Sequence, residues 1–537
     1  MDNIADCTAH YLPIQNTGYF SSLIKDYLEA APALRPYYVF APDDEGMKEA
    51  IRSRAAYPVD RNALTAVLRE QYAHLEVNDA VARNIELLEQ DNTYTICTAH
   101  QPNLMSGYLY FIYKIIHAAK LARHLSAQHA ESNFVPVFYI GSEDNDLDEL
   151  SIFRYEGKSY RWNTTQTGAV GSMHTEDLQE LIADLFRVLG PMGVEEQELK
   201  RIILTAYGGG HTIAQATRIL VNELLGFLGI VVLDANDARL KKAFIPVMKE
   251  ELLQHTAQQV VTQTSESLNE AYTAQAFVRP INLFYMKEGL RERIERKDDQ
   301  WFVLNTDVVF DEAQLMQEVE QHPERFSPNV ILRGMYQETI LPDVAFIGGG
   351  SEVAYWMQMK DLFAHYKAFF PTIVLRQSAM IIGPKSLAMQ QKLNLSLEEL
   401  FLKTEPLIDN YVAQYGDDSW NVNALQQQVE TLEQDTIDQL ADLDGQLHLS
   451  AEAVFTKIKK QVEVLEKKVR KAAKRKMADR VQQIQQLKEH TFPKDSLQER
   501  YDTFMPFYLQ YGQSFFEALY EHTDPYGKEF LVLAYNR

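Results

Sequence analysis

The sequence predicts an α/β protein with a parallel-sheet core, insertions within that core, and a carboxy-terminal α-helical coiled-coil domain. Two observations carry this prediction. Short apolar runs at Tyr94 to Cys97, Phe134 to Ile140, Gly229 to Leu233, Val344 to Ile347 and Thr372 to Leu375 are mostly separated by stretches of helical periodicity, the alternation that builds parallel sheets. Beyond about residue 386, apolar residues step by three and four instead: Val422, Leu425, Val429 and Leu432, then Phe455, Ile458, Val462, Leu465, Val469 and Ala472. That spacing implies two long helices, with Asp444-Gly445 as the turn of an antiparallel hairpin whose exposed seam makes a homodimer.

The elements follow in order. Tyr94 to Cys97 is strand, and Leu109, Ile112, Tyr113, Ile116, Ala119 and Leu121 then recur at helical spacing. Residues 157–215 and 276–330 are too long for simple crossovers and carry their own turn signals, so they read as insertions in a core spanning 1–385. Gly208-Gly209-Gly210-His211 closes the first insertion, and Thr212 with Gln215 forms a capping box for the next helix. The helical domain spans 386–490, and 491–537 returns to the core. Ten basic residues from Lys457 to Lys476 face only Glu463 and Glu466 in the same stretch, which reads as a solvated helix face or a complement to acidic surface.

With 75 acidic against 52 basic residues the net charge is −23, which repels phosphate backbones and anionic membranes and favours a small substrate. Cys7 and Cys97 have no paired spacing, so neither a disulfide framework nor a thiol zinc site is expected. No stretch is long and apolar enough to span a bilayer, and the expected location is cytoplasmic.

Three polar clusters fall where apolar strands give way to loops, and in open α/β sheets ligands bind beyond the carboxyl ends of the strands. In Thr98 to Lys114, Thr98, His100, Gln101 and Asn103 offer hydrogen-bonding groups, Gly107 holds the loop open, and Lys114 neutralises charge if its helix face turns inward. In the second cluster Glu143, Asp144, Asp146, Asp148 and Glu149 crowd one loop, where Mg²⁺ or a substrate ammonium would relieve their repulsion. Glu143 and Asp146 are the preferred ligands, Asp148 and Glu149 being explained as first-turn helix charges. The third cluster gathers Arg333, Gln337, Gly348, Gly349, Gly350, Glu352, Tyr355 and Trp356. Its glycines admit close backbone approach to an anion, and Arg333 with Arg376 can grip a carboxylate. His10, in a Cys-Thr-Ala-His that repeats the spelling at Cys97 to His100, lacks the preceding apolar run and is read as structural or incidental.

These clusters, together with Val232 to Lys241 and Phe492 to Gly512, resemble the bacillithiol-biosynthesis cysteine-adding enzyme family along nearly the whole chain. The resemblance implies a Rossmann-like core, connecting-peptide insertions and a dimer-forming coiled coil. It also implies a reaction joining the cysteine carboxylate to the amino group of glucosaminyl malate, with ATP and Mg²⁺ as the expected activating pair. The family's Thr-Gly-Gln-Gln falls on Thr98, Ala99, His100 and Gln101, and its Glu-Asp-His-Asp falls on Glu143, Asp144, Asn145 and Asp146. His100 is therefore expected to replace, in acid–base work, the imidazole missing at Asn145. The family's Leu-Arg-Pro falls on Leu332, Arg333 and Gly334, and its Gly-Gly-Pro-Gly-Glu on Gly348 to Glu352. The expected catalytic set is His100, Gln101, Glu143, Asp146 and Arg333. Competing readings are a nucleotidyl transferase or ligase acting on another amino-sugar conjugate, and a non-catalytic scaffold for the coiled coil.

Overall fold

The computed structural model describes residues 7–189, 193–416, 423–441 and 447–536. They form two compact units, one made of the chain up to Ile381 together with Gln498–Tyr535, the other of Ile382–Leu497.

The first unit is built on a five-stranded parallel sheet: β1 (Thr93–His100), β2 (Asn133–Ile140), β3 (Val231–Asp234), β4 (Asp343–Gly348) and β5 (Thr372–Leu375). Each apolar run singled out in the sequence is one of these strands. Nearly every residue of β1 is buried, as is β4 throughout, because helices cover both faces of such a sheet and no solvent-facing alternation is needed. The spatial order is β5-β4-β1-β2-β3, so the chain runs outward from β1 in one direction and then returns to β1's other side to lay down β4. This reversal is a topological switch point, where the loops leaving β1 and β4 diverge and open a crevice. The register places Thr98 beside Ile347 and His100 beside Ile140, so the carboxyl ends of β1, β2 and β4 finish on one edge.

Three helices position the site: α1 (Leu109–Gln128) after β1, α2 (Val330–Ile340) before β4, and α3 (Gly350–His365) after β4. The stretch between β2 and β3 contains the hairpin Ile152–Tyr155 with Lys158–Arg161, and helix Ile213–Leu225, whose expected capping box of Thr212 and Gln215 is present. The stretch between β3 and β4 contributes a second, five-stranded sheet with antiparallel pairings, including Leu283–Lys287, Leu290–Lys297 and Phe326–Pro328. Cys7–Pro13 is an edge strand paired antiparallel with Glu529–Tyr535, and His10 sits in its middle rather than at a strand end.

Gln498–Tyr535 belongs to the first unit, and its Glu499 enters the core without solvent exposure. There the carboxylate accepts hydrogen bonds from Arg376 Nη2 at 2.6 Å, Ser378 Oγ and the Ala379 amide.

In the second unit, helices Asn423–Ala441 and Leu447–Lys476 pack side by side. Gln426 meets Glu466 while Glu433 meets Lys459, so the pair is antiparallel as expected. Val422 and the anticipated turn at Asp444-Gly445 lie outside the described residues. Part of the basic run is neutralised within the unit, with Lys474 bound to Glu405 and Asp409, and Arg470 to Glu466. Among the described residues no helix is long and apolar enough to cross a membrane.

Removing one member of a buried ion pair strands the other charge. Glu499→Ala is therefore expected to destabilise the first unit by about 3–5 kcal/mol in denaturant unfolding, whereas a loss below about 1 kcal/mol would show that the clasp carries little.

Candidate functional site

At the switch point lies a cleft of about 520 Å³, within the range of small-molecule sites. Its wall takes residues from the ends of β1, β2 and β4, from α1 and α2, from the inserted sheet and from the returning carboxy-terminal segment.

From β1 come His100 and Gln101. The His100 ring stacks near Tyr110 and Phe111, and its Nδ1 lies 3.0 Å from the Gln101 carbonyl, which selects the Nδ1–H tautomer and leaves Nε2 as an acceptor. Burial first, and then the neighbouring Lys114 charge, pull its pKa down to about 4. His100 is thus a neutral acceptor near pH 7. Gln101 Nε2 donates to Asp144. Thr98 is buried below the cleft, its hydroxyl donating to the Ile347 carbonyl at 2.9 Å, so it joins β1 to β4 rather than meeting a ligand.

The loop after β1 folds tightly. Met105, Ser106 and Gly107 all adopt positive φ, a conformation that non-glycine residues hold only when the surroundings enforce it. A Cβ on Gly107 would come within 2.9 Å of the Asn103 side chain, and Asn103 is itself buried. Both shape the loop and neither lines the cleft. Lys114 does turn inward. It donates to the Ala99 carbonyl at 2.7 Å and forms an ion pair with Glu352 at 2.5 Å.

The acidic loop after β2 divides its labour differently from expectation. Asp146 is the N-cap of the one-turn helix Leu147–Leu150, and it is exposed and off the wall. Glu149, expected to be only a helix charge, lines the cleft, and partial burial followed by repulsion from Asp146 and Asp144 raises its proton affinity. Glu143 lines the cleft but is held by the fully buried Lys241, which also donates to the Phe326 carbonyl at 2.7 Å. Glu143 and Asp146 therefore do not converge as a ligand pair. Asp144 stands on the wall between Gln101 and Arg291.

Arg333, from α2, crosses the faces of Tyr139 and Phe346 and donates to Gln337 Oε1 at 3.0 Å. Burial alone would lower its pKa, but Tyr355, Tyr139 and Glu352 reverse that and hold it cationic. Among the described residues no carboxylate lies within ion-pair distance of it. Gln337 is fully buried behind Arg333, donating to Asp343 and Glu338, and so braces the arginine instead of contacting ligand.

After β4, Gly349 caps α3 and its amide donates to Glu352 Oε2 at 2.8 Å, a contact that leaves Gly350 and Ser351 at the first turn on the cleft wall. First-turn amides have no acceptor within their own helix and favour an anion. Burial alone would raise the Glu352 carboxyl, but Lys114 holds it below its ordinary range. Gly348 ends the strand and is not on the wall, since a Cβ there would press on Phe346 and Glu352 at 3.0 Å. Tyr355 lines the cleft, whereas Trp356 is wholly buried among Phe346, Phe363 and Phe370. Arg376 reaches the wall with its charge already paired to Glu499.

Tyr139, Arg291 and Arg500 also line the cleft and were not singled out in the sequence, beside Tyr110, on which the last residue of the family's Gly-Pro-Leu-Tyr falls. Arg291 sits in LRERIERK, whose polar alternation reads as a solvent-facing strand, and Arg500 lies in the Phe492 to Gly512 text with no chemical pattern around it. Among the described residues no cluster of three or more His, Cys, Asp or Glu side chains is arranged for a metal ion.

Because His100 stays neutral above about pH 4, it cannot supply an inflection near pH 6.5 to the activity profile. The kcat/KM profile over about pH 5.5 to 8 should keep its shape in His100→Asn even where its height falls, while an inflection lost with the ring would contradict the assignment.

Comparison with known proteins agrees with this architecture. Residues 7–377 match the family model described as bacillithiol biosynthesis BshC, N-terminal Rossmann-like domain, and residues 379–535 match that of the C-terminal coiled-coil domain. A protein of Flavobacterium johnsoniae is 38% identical over 530 residues, covering 98% of this chain and 99% of its own. One of Cytophaga hutchinsonii is 38% identical over 514 residues, covering 95% and 96%, and one of Chlorobaculum tepidum 30% over 500 residues, covering 87% and 88%. All three bear the name "Putative cysteine ligase BshC".

Proposed function

Because the chain belongs to the bacillithiol biosynthesis BshC family, we propose that it is a ligase joining the carboxylate of cysteine to the amino group of glucosaminyl malate. The observation that carries this reading is the cleft at the β1–β4 switch point. It sets Arg333, a cation with no carboxylate partner among the described residues, on the same wall as the first turn of α3.

Amide formation needs the carboxylate activated, and ATP with Mg²⁺ supplies the leaving group for that step. The residues present fit a phosphate or carboxylate: Arg333 and the first turn of α3 meet negative charge, with Lys114 and Arg376, each already paired to a carboxylate, held beside them. Mg²⁺ is commonly bound by one or two carboxylates together with substrate phosphates, and Asp144 and Glu149 are the wall carboxylates not engaged in a close ion pair. Where they do not hold the metal, the same acids attract the substrate ammonium. His100 Nε2 accepts a hydrogen bond from the attacking nitrogen, and Tyr110 and Tyr139 supply apolar wall. We further place the protein in the cytoplasm as a homodimer through its coiled coil, with small molecules rather than nucleic acid or membrane as partners.

The test is incubation of the purified chain with cysteine, glucosaminyl malate, ATP and Mg²⁺, with conjugate and nucleotide products followed by mass spectrometry. Conjugate of the expected mass supports the ligase; a nucleotidylated sugar favours the transferase reading, and no product at all favours the scaffold. Arg333→Ala should cost about 100-fold in kcat/KM, as expected for losing a buried cationic donor to developing negative charge, and undiminished turnover would contradict the assignment.

A further inference from the structure

Arg291 reaches the cleft from strand Leu290–Lys297 of the inserted sheet, and only 8% of the residue is exposed. Every part of its guanidinium but one is held. The plane lies 3.9 Å from the centre of the Phe284 ring, Nε donates to Ser327 Oγ at 3.2 Å, and Nη1 donates to Asn145 Oδ1 at 3.0 Å. Asn145 also donates from Nδ2 to the Arg291 carbonyl at 3.2 Å, so one amide side chain grips both the backbone and the head group of the arginine. The nearest carboxylate, Asp144, is 3.7 Å from Nη1, beyond hydrogen-bond length. Nη2 is left without a protein acceptor among the described residues, on a side chain that lines the cleft.

A desolvated guanidinium with one free edge is built to receive an oxyanion, and its fixed fork favours a carboxylate. The other anion-receiving wall, at the first turn of α3, leaves from β4, whereas Arg291 is docked on the loop leaving β2. β1 lies between these strands, so β4 and β2 are two strand spacings, roughly 10 Å, apart. Cysteine carries a single carboxylate, and the reaction consumes it. On the ligase reading above, we propose that Arg291 anchors a carboxylate that survives the reaction, the malate carboxylate of the amine acceptor, and that Asn145 is the positioning residue that aims it. Asp144, beside Arg291, then faces the acceptor's ammonium, so this wall reads an ammonium and a carboxylate on one molecule. Asn145 stands where the family motif has histidine, another side chain able to accept from an arginine.

The full-length protein is titrated calorimetrically with glucosaminyl malate and with methyl glucosaminide, which keeps the amine but lacks malate, and KM is measured for cysteine and for acceptor. Arg291→Gln should weaken glucosaminyl malate binding by about 30-fold while leaving methyl glucosaminide and the KM for cysteine unchanged. Asn145→Ala, at an exposed position, should raise the acceptor KM about fivefold with kcat retained, and Asn145→His should recover most of that. Equal weakening of both acceptors, unchanged glucosaminyl malate affinity in Arg291→Gln, or a shift in the cysteine KM instead would overturn the anchor. Tight, Arg291-dependent binding with no conjugate formed would leave the anchor standing and sink the ligase reading alone. Absence of glucosaminyl malate binding by the wild-type protein would sink both.

Discussion

The ion pair between buried Lys114 and partly exposed Glu352 is the constraint on which the cleft depends. Lys114 belongs to the helix after β1 and Glu352 to the helix after β4, so one contact ties together the two loops that part at the switch point. Each partner also holds backbone, Lys114 the Ala99 carbonyl and Glu352 the Gly349 amide. A pair with one partner taken out of water is stabilising only when further hydrogen bonds support it, and the Ala99 carbonyl and Gly349 amide do so here. Its consequence for function is subtractive. With Lys114 neutralised by Glu352, Arg376 by Glu499 and Lys241 by Glu143, the charge left to a ligand falls to Arg333, to Arg500 on the same wall and to the free edge of Arg291.

The same economy explains the supporting layer. Gln337 spans Arg333 on one side and the buried carboxyls of Glu338 and Asp343 on the other, and burial raises the proton affinity of both acids. Thr95 donates to Asp343 from β1, so the brace behind Arg333 is itself fixed to the central strand. Rigid support from strands and helices is what a site needs to hold charged groups at fixed positions without paying reorganisation at each turnover.

The architecture was legible because burial writes itself as long apolar runs. Phe134 to Ile140 can hardly be anything but a central strand, and the change of period after residue 386 announces helices. Belonging to the cleft is a different kind of information. Asp146 and Glu149 are both acids in one short loop, and which caps a helix and which faces a ligand depends on where a one-turn helix begins. Gln337 and Arg333 are one helical turn apart and both polar, yet one is the brace and the other the contact. Arg291 was hidden by its alternating neighbours, and Glu499 by its distance along the chain from Arg376, because neither local period nor spacing encodes a contact made by an inserted sheet or a returning tail.

The most direct measurement is a crystal structure of the protein soaked with cysteine and a non-hydrolysable ATP analogue. The account predicts phosphate or carboxylate oxygens within hydrogen-bond distance of Arg333 and of the first-turn amides of α3. Ligands bound away from the β1–β4 switch point, with Arg333 untouched, would contradict it.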